Sequence, residues 1–142
     1  MPASRATLVV RSLALVADRI VTKLTLDVVA NLVRAPAEGG TPVDTGWARA
    51  NWIPRIGAPF SGTDGTRAQA EAGSVSRAQQ EAGIAAMLRY KITPTGKVFI
   101  TNNVPYIGKL NDGWSKQAPK GFVQAAIKQA VVGLGQIREV RL

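Results

Sequence analysis

Few residues in this chain could do chemistry. Its 142 residues include no histidine and no cysteine, which removes imidazole bases, thiol nucleophiles, thiolate zinc sites and disulfide bonds together. The tripeptide Asp44-Thr45-Gly46 has a catalytic namesake. Aspartic proteases set an aspartate in this triplet on each of two lobes or subunits, where two carboxylates share one proton to activate water. That chemistry needs the loop to sit between strands of an all-β frame. Here the triplet follows a helical pattern and a Gly39-Gly40 pair, and the bulky Trp47 comes directly after it. Asp44 instead predicts a helix start, its carboxylate accepting backbone N–H groups, so that Asp44, Thr45 and Gly46 form a structural cap-and-turn unit. Gly108-Lys109 and Gly113-Trp114-Ser115-Lys116 carry the letters of a phosphate loop without its spacing. The nine carboxylates are too scattered in sequence to propose a metal pair. No catalytic residue, cofactor or metal site is predicted, and the chain does not read as an enzyme.

The remaining candidates are cations and aromatics. Eighteen Lys and Arg against nine acids give a net charge of +9. The excess is uneven: residues 85–142 hold nine basic residues and two acids, residues 1–84 nine and seven. An acidic partner is expected to meet the C-terminal part. Lys91, Lys97, Lys109, Lys116, Lys120 and Lys128 could each contact a nucleic-acid phosphate and add to a salt-dependent affinity. Their spacing matches no recognised reader, and a solvated face or one paired with acidic neighbours is the better reading; a basic nucleic-acid-binding module is the alternative. Trp47, Trp52 and Trp114, with Tyr106 and Lys116, are the interface candidates, since aromatics anchor contacts between subunits. Trp114 leads them because Asp112, Gly113, Ser115 and Lys116 offer it few apolar neighbours.

These residues must be positioned by one domain, 1–142, because this length supports one core. Leu13, Val16, Ile20, Leu24, Val28 and Leu32 recur every three to four positions and predict one long amphipathic helix from about Leu8 to Arg34. Pro36 and Gly39-Gly40 end it. Arg5, Arg11, Asp18, Arg19, Lys23 and Asp27 interrupt the apolar run, so neither a membrane span nor a secretory signal is expected. Ile53–Ile56 predicts a short strand that Pro54 confines to an edge or a strand start. The Gly-rich segment 57–75 predicts a flexible loop. Ser76–Arg89 predicts a second helix despite Gly83, and Lys97–Thr101 a strand in the sheet core. Asn102–Gly113 predicts a helical turn closing at Gly113. A final helix is expected from about Gly121 to Glu139, with Phe122, Ala126, Ile127, Ala130, Val131 and Leu134 on its apolar side. The fold class is α+β, with long N-terminal and C-terminal helices packed on a small, mainly antiparallel sheet.

Three segments in order carry a resemblance: Thr41-Pro-Val-Asp-Thr-Gly-Trp-Ala-Arg-Ala-Asn-Trp52, Val98-Phe-Ile-Thr-Asn-Asn-Val-Pro-Tyr-Ile107 and Leu110-Asn-Asp-Gly-Trp-Ser-Lys-Gln-Ala-Pro119. Together they resemble the tail-completion and neck proteins, the head–tail joining proteins of long-tailed bacteriophages. In that family a Pro-Val-Asp-Thr-Gly turn follows a long helix, an Ile-Thr-Asn-Asn strand end leads into Pro-Tyr, and a Gly-Trp-Ser-Lys-Gln-Ala-Pro connection precedes the last helix. The chain departs from the pattern at Lys109 and Asn111, where a more acidic sequence is expected. The resemblance implies a structural virion protein without a catalytic role or cofactor, assembled in the host cytoplasm and residing in the neck. Its implied partners are copies of itself in a ring, the head–tail connector and the tail-tube or tail-terminator proteins. Non-specific contact with DNA in the lumen is also implied, and no membrane partner.

Overall fold

The computed structural model describes residues 3–94 and 96–135. Helix α1, Arg5–Val33, opens where Ser4 Oγ accepts the Thr7 N–H at 3.1 Å and runs for about 43 Å at about 1.5 Å per residue. Its C-terminal half is buried through Thr25, Val28, Val29 and Leu32. A 3-10 turn at Pro36–Glu38 then reverses the chain. The reversal is tight: a Cβ on Gly40 would lie 1.8 Å from the Arg34 carbonyl oxygen, so glycine is required there for space.

Helix α2, Trp47–Ala50, is a single turn that leads into strand β1, Ile53–Ile56. After α3, Arg67–Glu71, and α4, Ala78–Met87, comes strand β2, Val98–Thr101. The two strands pair antiparallel with Ile53 opposite Thr101 and Ile56 opposite Val98. They form a two-stranded sheet among the described residues, so both are edges. That suits Pro54, as expected, but it corrects the placement of Lys97–Thr101 in a sheet core: with no third strand beside it, β2 stays half-exposed along its length. Helix α5, Ile107–Asn111, ends near Gly113 at φ 86, and α6, Phe122–Leu134, packs along α1. The architecture is α+β, as the sequence pattern predicts. The expected reach of the last helix beyond 135 lies outside the described residues.

The main core joins α1 to α6 through Val28, Leu32, Trp52, Phe122, Ala126 and Ala130. A smaller cluster holds Trp47, Ala48, Ala70 and Val104. On the other side of the sheet α4 presses directly on β1. A Cβ on Gly83 would fall 2.2 Å from the Pro54 carbonyl oxygen, so the glycine that weakens α4 as an isolated helix is the one that lets it dock.

The segment 57–75, whose composition predicts a flexible loop, contains the short helix α3 and a set of hydrogen bonds. Thr66 and Gln69 form a reciprocal capping box at the start of α3, and Asp64 ties the segment down at both backbone and side chain. The Asp64 N–H donates to Asn51 Oδ1 at 2.7 Å, and its carbonyl accepts from Trp47 Nε1 at 3.2 Å. Its carboxylate accepts from Ser76 Oγ at 3.0 Å and from the Gln79 N–H at 2.9 Å. The Gln79 N–H belongs to the first turn of α4, so Asp64 caps that helix from a distance. Composition shows how little this segment buries, and misses how many polar groups meet it.

Candidate functional site: a cleft between the motif segments

Pro42 to Gly46, Tyr106, and Ser115 and Gln117 of the last connection, far apart in sequence, close around one surface cleft of about 380 Å³. Asp44, Thr45, Gly46, Tyr106, Ser115 and Gln117 line it, with Arg67 and Glu71 at the α3 side. All three motif segments of the resemblance contribute to this lining.

The turn at its rim is built differently from the cap expected of Asp44. Gly46 occupies the cap position of α2 at φ 88, a left-handed conformation natural to glycine, and Thr45 Oγ1 accepts the Trp47 N–H at 3.3 Å. Asp44 is exposed and is among the residues that line the cleft. The turn is latched to the far segment by Gln117, whose side-chain amide accepts from the Val43 N–H and donates to the Val43 carbonyl, both at 2.8 Å.

The aromatic candidates divide. Trp47 and Trp52, expected at an interface, are only 6% and 7% exposed, so their rings are already enclosed within the protomer and have no area left to offer a partner. Trp52 Nε1 donates to Thr41 Oγ1 at 2.8 Å. Tyr106 is half-buried, its ring tilted against Trp47 with centroids 6.1 Å apart. Burial pushes its phenol above the ordinary tyrosine range. The Asp44 and Glu71 carboxylates push the same way, and Arg67 and Thr45 oppose them. Trp114 is 73% exposed. The Lys109 ammonium sits 4.8 Å from the centre of its ring, a cation–π contact that steadies the indole at the surface. Lys116 is exposed beside it.

The departures from the resemblance have local explanations. Lys109 is the residue that covers Trp114. Asn111 Oδ1 accepts the Val123 N–H at 3.0 Å in the first turn of α6, satisfying a donor that the glycine before that helix leaves open. Neither Lys109 nor Asn111 stands out from the sequence as a positioning residue, because both act across a turn.

Chemically, the cleft offers two carboxylates, one guanidinium, a phenol, two hydroxyls and a carboxamide. Ser115 Oγ accepts the Gln117 N–H at 3.1 Å, and Arg67 pairs with Glu71 at 2.8 Å on the open surface. Among the described residues, no group of three or more carboxylates could hold a metal ion, and no helix is long and apolar enough to cross a membrane. Of the six candidate lysines, Lys91 reaches Asp18 at 3.7 Å and Lys109 covers Trp114; Lys97, Lys116, Lys120 and Lys128 are exposed. Comparison with protein-family models, curated proteins and solved structures returns no match.

Proposed function

We propose that this protein is a structural subunit of a bacteriophage neck, assembling as a ring that completes the top of the tail and joins it to the head connector. The observation that carries the reading is the convergence of the three motif segments, in their family order, on one cleft latched by Gln117 and Val43. The segments that carry the resemblance thus share one surface feature, which supports reading them as a unit.

The role is one of contact, without chemistry of its own. Trp114, Lys116 and the cleft beside them form the face offered to the connector or to the tail-tube and tail-terminator proteins. The basic surface suits acidic neighbours and allows non-specific contact with DNA passing through the ring. Assembly would take place in the host cytoplasm, and the finished protein would reside in the virion.

The test is the mass of the purified protein by light scattering, alone and mixed with extracted phage tails, together with co-sedimentation on those tails. Ring formation or binding to tails is the expected result. A persistent monomer that ignores tails, and binds duplex DNA with an affinity falling steeply with salt, would overturn the reading in favour of a nucleic-acid-binding module.

A further inference from the structure

The two strands leave unequal outer edges. The Gly57 N–H donates to the Lys97 carbonyl at 2.8 Å, directly opposite in the register. Hydrogen-bonded pairs therefore fall at every second position, at Arg55 with Phe99 and at Ile53 with Thr101. The backbone groups of Pro54, Ile56, Val98 and Ile100 turn away from the ladder. On the β1 side this outer edge is closed: Pro54 has no N–H, and α4 lies against its carbonyl in the approach that Gly83 permits. On the β2 side, Val98 and Ile100 each present an N–H and a carbonyl that no other strand or turn among the described residues takes up. Val98-Phe99-Ile100-Thr101 contains neither a charge nor a proline, two devices that protect an open edge.

The open edge borders an apolar groove of about 360 Å³, lined by Val98 and Ile100 together with Leu24 and Val28 of α1 and Val123 and Ile127 of α6. That volume holds about two to three leucine-sized side chains. Residues opposite one another on paired strands share a face, so a segment paired with Val98 and Ile100 would send two alternate side chains into the groove. A helix, about 10 Å across, is too wide for it. Charge narrows the partner further. Residues 92–135 hold Lys97, Lys109, Lys116, Lys120 and Lys128 against Asp112 alone. Lys97, immediately before β2, is exposed and joins no ion pair among the described residues. A second copy suits this edge poorly, because each copy brings a net charge of +9.

We propose that the open edge of β2 is a docking site for an extended segment of an acidic partner protein. The segment adds a third strand, sets two aliphatic side chains at alternate positions into the groove, and places a carboxylate beside Lys97. Strand addition of this kind takes its affinity from main-chain hydrogen bonds, here with Val98 and Ile100, and its selectivity from the side-chain pocket. The site follows from strand register, groove size and charge, and holds whether or not the chain forms a ring.

The experiment titrates the full chain at low salt with the peptide Glu-Thr-Val-Thr-Val-Thr-Glu, capped at both ends, and follows backbone amides by NMR and hydrogen exchange. Binding is expected to slow exchange of the Val98 and Ile100 amides at least about tenfold. The same peptide methylated on its backbone nitrogens keeps every side chain but has no donors, and should not bind. K97E should weaken binding about fivefold, and I127E in the groove should weaken it more. Both positions are exposed, and circular dichroism checks that each variant folds; if I127E does not, K97E and the methylated peptide still decide. No binding up to about 1 mM peptide, unchanged exchange at the two amides, or equal binding of the methylated peptide overturns the site. A K97E protein that binds as tightly as wild type overturns the acidic partner. Protection of the two amides that grows with protein concentration in the absence of peptide would assign the edge to a second copy instead.

Discussion

Gln117 holds Val43 by both of its backbone polar groups, although 74 residues separate them. The side-chain amide reproduces what a neighbouring strand would offer, one donor and one acceptor at matching spacing. It thereby fixes the Asp44–Gly46 turn against the connection that carries Trp114.

Replacing Gln117 with alanine is expected to lower stability by about 1–2 kcal/mol, the loss of two partly exposed hydrogen bonds. Q117E should also destabilise, since it keeps an acceptor for the Val43 N–H and sets a negative charge against the Val43 carbonyl. Urea denaturation of both variants measures this. Midpoints matching wild type would mean that other contacts hold the turn.

Thr41 is fully buried, accepting from Trp52 Nε1 at 2.8 Å while donating to the Leu32 carbonyl at 2.6 Å. One hydroxyl therefore joins the end of α1 to the start of β1. T41V strands the indole donor and is expected to cost about 2–3 kcal/mol, while T41S keeps the relay and costs less. Thermal unfolding of the pair should show the valine variant melting lower; equal melting points would remove the relay from the account.

Tyr90 is buried and donates its hydroxyl to the Gly96 carbonyl at 2.5 Å. Burial raises its phenol above the ordinary value of 10.0, and the Asp18 carboxylate adds to the effect. The folded chain therefore holds this proton more tightly than the unfolded one. The stabilisation is complete below the unfolded value and is lost as pH rises through the folded one. Stability followed by urea midpoint from about pH 9 to pH 11.5 should fall for wild type and fall less steeply for Y90F. Parallel curves would show that other groups govern the alkaline loss.

The two tryptophans Trp47 and Trp114 should separate folding from assembly. W114A removes an exposed ring and should leave unfolding within about 0.5 kcal/mol of wild type, while weakening ring formation or tail binding. W47A empties a buried site and should cost about 3–5 kcal/mol. A W114A protein that assembles as well as wild type would remove Trp114 from the contact face.

Local sequence was enough to place the long helices and both strands, though not α3. Apolar residues every three to four positions place α1 and α6, Pro36 ends the first helix region, and Pro54 keeps β1 at an edge, because these are effects of near neighbours along the chain. The absence of His and Cys settled in advance which chemistries this chain lacks. Tertiary structure alone decided the rest. The cap of α4 comes from Asp64 and the cap of α6 from Asn111, each supplied across a turn. Trp47 and Trp52 are enclosed while Trp114 is not, and the first turns of α1 outrun the helix that covers the remainder. Each of these outcomes depends on which distant backbone or side chain arrives at a given point in space. Hydrophobic periodicity states that a face is apolar; only the packed chain determines whether that face has been covered or left exposed.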